Sequence, residues 1–95
     1  MSKTRFASVW DAIEDTREAA DDLRARAELM IAVSDYIRTY KLTQAKAAKQ
    51  FGVTQPRISD LMRGKVNLFS IDKLIAMLTR IGARVQVKVD FKRAA

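Results

Sequence analysis

Along the first forty positions the apolar residues recur at steps of three and four, the period of an amphipathic helix. Leu23, Ala27, Met30, Ile31, Ser34, Ile37 and Tyr40 fall on one stripe. The run from about residue 17 to 40 contains no Gly or Pro and is rich in Ala, Leu, Arg and Glu, all strong helix formers. Thr16 can cap its start, with Glu18 in the first turn. Upstream, Val9, Trp10 and Ile13 share a face of a shorter helix from Ser8 to Asp15, with Ser8 as its cap. The pattern leaves open whether a further break falls near Asp21-Asp22.

After Lys41-Leu42 the elements shorten. Thr43 suits an N-cap for a helix Gln44–Phe51, and Gly52 can supply the positive φ that closes it. Val53 returns to the core, and Thr54 caps a helix Gln55–Arg63 whose first turn accepts Pro56. Gly64 ends that helix. A link over Val66–Phe69 leads to Ser70, the cap of a helix Ile71–Ile81 with Ile71, Leu74, Ile75 and Leu78 inside; Gly82 stops it. The period then changes to two. From Arg84 to Phe91 apolar and polar residues alternate and β-branched residues dominate, the pattern of a half-buried strand. A lone strand leaves its backbone groups unpaired, so it needs a partner. The same strand of a second subunit, or the chain's own N-terminal segment, would serve; the former makes a two-fold dimer.

Composition adds exclusions. At 48% hydrophobic and 31% charged, the 95 residues read as one globular domain. No apolar run reaches the roughly 18–20 residues of a membrane span, and MSKTRFASVW lacks the features of a signal peptide, so a cytoplasmic location is expected. There are no cysteines and no histidines, which removes thiolate chemistry, the commonest general base and the commonest metal ligand. No nucleophile–base pair and no phosphate-cradling glycine loop is present either. No enzyme activity, catalytic residue, cofactor, metal or small-molecule substrate is expected. The net charge of +7 points to a polyanionic partner, and its placement sharpens this. Residues 1–40 carry six basic against eight acidic side chains. Residues 41–65 carry Lys41, Lys46, Lys49, Arg57, Arg63 and Lys65 against Asp60 alone, and residues 66–95 carry six against two.

That basic middle block holds a second pattern. Two short helices joined by a tight glycine turn constrain a few positions severely. Counted from Gln44, the fifth residue is the small Ala48 and the ninth is Gly52; the fifteenth and eighteenth, Ile58 and Leu61, are apolar anchors for the second helix. The stretch LTQAKAAKQFGVTQPRISDLMRGK resembles the helix-turn-helix of the phage-repressor and XRE superfamily, a compact five-helix DNA-binding fold, and this likeness covers residues 29–82. Over residues 6–90 the chain also resembles short XRE proteins encoded beside toxins, of HigA antitoxin type. FASVWDAIED, RAELMIAVSDYI, TQPRISDLMRGK and FSIDKLIAMLTRIGARVQVKV carry that second likeness.

With Ile58, Leu61 and Met62 turned inward, the recognition helix presents Gln55, Ser59, Asp60 and Arg63, with Arg57 at its flank. Gln55 can pair with an adenine edge, Arg57 with guanine, and Asp60 can accept from a cytosine amine. The resemblance implies that Gln55 reads a base, that Gln44, next to Thr43, holds a phosphate, and that Ser59 and Asp60 face bases. Pro56 departs from the polar residue common in the family, so a contact is lost there. Arg63 and Lys65, flanking the helix C-terminus, suit phosphates. An intrahelical ion pair between Arg57 and Asp60, spaced i to i+3, competes with their base-reading roles.

Between residues 11 and 22 six acids face Arg17 alone, a balance of −5 that would repel DNA. A solvated face is the simplest explanation of the cluster; a docking surface for a basic toxin, with Val9, Trp10 and Ile13 as apolar anchors, is a sharper one. A divalent-metal or general-acid site has neither a histidine nor a convergent pocket signal behind it. Trp10 can also be a lid on the protein's own core. RNA binding is disfavoured by the scarcity of aromatic residues for base stacking. The expectation is therefore a mainly α protein: an acidic helical extension over 1–22, a five-helix lambda-repressor-like domain over 23–82, and a C-terminal strand with basic tail over 83–95, paired across a homodimer. Its expected role is binding double-stranded DNA in the major groove, as an antitoxin that represses its own operon and binds a basic toxin, or as a solitary XRE-type regulator.

Overall fold

The computed structural model describes the backbone of residues 2–91 and the side chains from Arg17 onward. Helix α1 runs unbroken over Ser2–Thr39. It is followed by α2 (Gln44–Phe51), α3 (Gln55–Met62), a 3₁₀ turn (Val66–Leu68) and α4 (Ile71–Arg80). Four α-helices are thus present among the described residues, not five helices with an N-terminal extension. The two separate N-terminal helices expected at Ser8–Asp15 and beyond Thr16 are one. Ser and Thr favour caps but do not break a helix, and nothing from 2 to 39 supplies a Gly or Pro. Asp21 and Asp22 lie inside α1 and pair forward with Arg24 and Arg26, at i+3 and i+4. Among the described residues no helix is long and apolar enough to cross a membrane.

The second correction concerns the tail. Residues 83–91 form no strand, and no paired ladder exists among the described residues, so the expected strand and the dimer built on it are not supported. Alternation reports an extended backbone with one face turned inward, which Ala83 and Val85 satisfy by packing against the core. A strand needs in addition a partner backbone, which the described residues do not bring. Beyond Val85 the apolar side chains Val87, Val89 and Phe91 are exposed.

The core gathers Met30, Val33 and Ile37 from α1, Ala47, Ala48 and Phe51 from α2, Ile58 and Leu61 from α3, then Phe69, and Leu74, Met77 and Leu78 from α4. The buried line on α1 keeps Met30, Ser34 and Ile37 of the expected stripe but shifts at its edge: Val33 is fully buried, while Leu23, Ile31 and Tyr40 are exposed. At 3.6 residues per turn, steps of three and four admit two adjacent stripes, and packing against α4 selects the one through Val33. Tyr36 meets the Phe51 ring edge-on at 5.6 Å and donates a 3.2 Å hydrogen bond to Gln50 Oε1, fixing α2 against α1.

The exit from α1 orients everything that follows. Lys41 N–H donates to Arg38 O at 3.1 Å and Leu42 N–H to Ile37 O at 3.0 Å, the paired bonds of a Schellman cap. The left-handed position falls on Lys41, at φ 51°, a lysine where glycine is usual. Leu42 is thereby returned to the core beside the last turn of α1.

Candidate nucleic-acid interface

The two helices after that cap are set by local chemistry. Thr43 Oγ1 accepts from Lys46 N–H at 3.1 Å, and Thr54 Oγ1 from Arg57 N–H at 3.4 Å. Between them Gly52 sits at φ 71°, and Val53 N–H reaches back to Ala48 O at 3.0 Å, which closes α2 and reverses the chain. Ala48, Ile58 and Leu61, the positions singled out by spacing, are all buried, so α3 is pinned against α2 by one face. Pro56 stands in the first turn of α3, where its missing N–H costs nothing. Past α3, Gly64 N–H donates to Leu61 O at 2.9 Å and Lys65 N–H to Asp60 O at 3.1 Å.

The opposite face of α3 carries the expected readers. Gln55, Arg57, Arg63 and Lys65 are exposed, as are Thr43 and Gln44 at the start of α2; Ser59 and Asp60 are half-buried. Arg57 and Asp60 do not pair with each other. Asp60 is instead held by Lys65, Nζ to Oδ1 at 3.6 Å. Arg57 turns toward the following loop, donating from Nη1 to Leu68 O at 3.3 Å, with its guanidinium 5.7 Å from the Phe69 ring centroid. Both contacts are at the surface, where such pairs are worth about 0–1 kcal/mol, so either residue is released at small cost. Val9, Trp10 and Ile13 lie outside the described side chains.

Three cations at helix starts form a pattern that spacing alone did not single out. The residue whose N–H meets the capping hydroxyl is Lys46 in α2, Arg57 in α3 and Lys73 in α4, where Ser70 Oγ accepts at 3.2 Å. A helix start usually favours Glu or Gln at this point, because the first turn carries the positive end of the helix dipole. A cation there works against the helix, three times over. An external anion at those termini relieves the conflict. Two of the three cations, Arg57 and Lys73, line one open cavity of about 420 Å³ together with Arg26 of α1, Asn67, Phe69 and Ser70. Arg26, Asn67 and Lys73 were not anticipated as site residues. Arg26 and Asn67 carry no local signal; Lys73, a lysine in a first turn, does.

Known proteins agree with this geometry. A family model described as a helix-turn-helix domain matches residues 12–90. A solved structure named as an XRE family transcriptional regulator superposes with a TM-score of 0.72 at 30% sequence identity, covering 81% of this chain and 90% of that one. No match is found among curated proteins. With the capped α2–Gly52–α3 unit in place and most of its length matched, the chain belongs to the XRE-type helix-turn-helix family of DNA-binding proteins.

Proposed function

We propose that this protein is a sequence-specific transcriptional regulator that reads the major groove of double-stranded DNA with α3. One observation carries the reading. The buried side of α3 is fully committed to Ile58 and Leu61, while Gln55, Arg57, Arg63 and Lys65 face outward among cations. Gln55 offers a bidentate amide to adenine, Arg57 a fork to guanine, and Asp60 an acceptor to cytosine once Lys65 lets go. Ser59 lies beside them on the same helix. Thr43, Gln44, Arg63 and Lys65 flank the reader on both sides and supply phosphate contacts that set register. An eight-residue helix spans only a few base pairs, so useful specificity requires two copies on half-sites about one helical turn apart, as a homodimer.

The test separates base reading from phosphate holding. Gln55→Ala is expected to cost about 1–3 kcal/mol on a selected operator, with little loss on random DNA. Arg63→Ala weakens both alike and flattens the salt dependence. Arg63 is chosen over Lys65 because Lys65 is tied to Asp60. Identical effects of the two variants on both DNAs would sink the assignment.

Within this reading the protein serves as the antitoxin of a toxin–antitoxin pair of HigA type, repressing its own operon and masking a toxin. Support comes from the acidic run between residues 11 and 22, balance −5, which lies on the same helix as Val9, Trp10 and Ile13. The labour then divides between an acidic segment 1–22, a DNA-binding domain 23–82 and a basic tail 83–95, with α1 crossing the first boundary. Co-expression with the adjacent gene products tests it. A small basic partner, toxic alone, that stays bound in high salt supports the antitoxin; capture of none leaves a solitary XRE-type regulator.

A further inference from the structure

Between α1, α3, the 3₁₀ turn and the start of α4 lies the cavity of about 420 Å³ lined by Arg26, Arg57 and Lys73. Three cations from three separate helices converge there, and among the described residues no carboxylate lines it. Like charges brought together across a fold repel, and an anion offsets that repulsion. Arg26 adds a further mark. Among the described residues, its Nε is the one buried side-chain nitrogen or oxygen with no hydrogen-bond partner in the protein. Its Nη2 donates to Asp22 Oδ2, one turn back on α1. Arg57, on the same wall, belongs to the first turn of the helix proposed to enter the major groove.

We propose that this cavity is a second phosphate clamp, in which Arg26 and Lys73 hold a backbone phosphate of the bound DNA, and that Asp22 competes with that phosphate for Arg26. The inference rests on the DNA-binding reading and extends it to the edge of the recognition helix opposite Arg63 and Lys65. A phosphate oxygen entering the cavity meets two cations, and a guanidinium that swings off Asp22 toward it brings the Nε–H, buried in the free protein, to an acceptor. As it does so, the Asp22 carboxylate gives up the guanidinium. The long helix α1 thus takes part in DNA contact through its middle, and its acidic stretch tempers that contact.

The test uses full-length protein and two duplexes, a selected operator and a random sequence, with affinity measured by fluorescence anisotropy from 50 to 200 mM salt. Each phosphate contact contributes about 0.9 to the slope of log K against log salt, so losing one reduces the affinity drop across that range about 3.5-fold. Arg26→Gln and Lys73→Gln should each weaken both duplexes equally and flatten the slope by that amount. The two substitutions sit on different helices, and circular dichroism confirms that each variant is folded. Asp22→Asn should act in the opposite sense, tightening both duplexes about twofold, the equilibrium weight of an i,i+4 ion pair at the surface. In an Arg26→Gln background that gain should vanish. A gain that persists there would show general repulsion by the acid and overturn the competition. Unchanged slopes in both cation variants would overturn the clamp, including the case in which inorganic phosphate at constant ionic strength binds the free protein. If the wild-type protein binds neither duplex, the DNA-binding reading itself fails.

Discussion

Replacing Gly52 by alanine adds one methyl group at the turn between α2 and α3. The backbone there holds φ 71°, a conformation that costs an L-residue about 1–2 kcal/mol through the clash of Cβ with the following carbonyl. Alanine also stiffens the unfolded chain, which returns about 0.4–1 kcal/mol. The added Cβ would stand 2.6 Å from Arg80 Nε, 2.7 Å from Cδ and 2.9 Å from Cζ, but these atoms belong to the outer part of a flexible, exposed side chain that moves aside cheaply. The net loss is therefore about 1 kcal/mol. In a domain of this size that lowers the melting temperature by about 4–8 °C, measurable by circular dichroism. Gly52→Asn should lose less, since asparagine tolerates the left-handed region better. At 25 °C both variants remain folded with α3 in place, so operator affinity should stay within about twofold of wild type. An unchanged or higher melting temperature for Gly52→Ala would refute the claim that backbone conformation requires glycine at this turn.

The opposite substitution at the end of α1 should have the opposite sign. Lys41→Gly removes a side chain from φ 51° and is expected to stabilise the protein by about 0.5–1 kcal/mol, seen as a higher midpoint in urea with an unchanged slope. A lower midpoint would show that the lysine side chain contributes more than its backbone conformation costs. Ile58→Ala empties a fully buried position between α3 and its supports and should cost about 2–5 kcal/mol. Much of a domain's total stability would go with it, and operator binding at 37 °C should fall because of unfolding, not altered contacts. Recovery of full binding on cooling checks this; permanent loss would contradict it.

The α2–turn–α3 unit was legible because its determinants are local. Thr43, Gly52 and Thr54 act within a few residues of themselves, and Ala48, Ile58 and Leu61 are fixed by the spacing of two short helices. Where determinants are distributed, reading from the chain alone fell short. Ser8 and Thr16 resemble caps, yet an unbroken stretch of good helix formers overrides them. The stripe on α1 was right in period and, at Met30, Ser34 and Ile37, in place. It missed Val33 and included Leu23, Ile31 and Tyr40, because only the position of α4 decides between neighbouring stripes. Residues 83–91 alternate as a strand does, but hydrogen bonding to a second backbone is a property of the assembly and leaves no mark in one segment. Arg57 and Asp60 have ion-pair spacing. The pair does not form, since Leu68 O and Lys65 offer partners brought near by the fold. Lys73 was readable in principle as a cation at a helix start, whereas Arg26 joins it only through tertiary packing.

The central claim, that α3 reads sequence in double-stranded DNA, is tested most directly by selecting duplexes from a random pool with the full-length protein. Selection should enrich a consensus containing an adenine-bearing position that Gln55→Ala relaxes while the remaining positions persist. A pool that stays random after repeated rounds, or a consensus indifferent to Gln55, would contradict it.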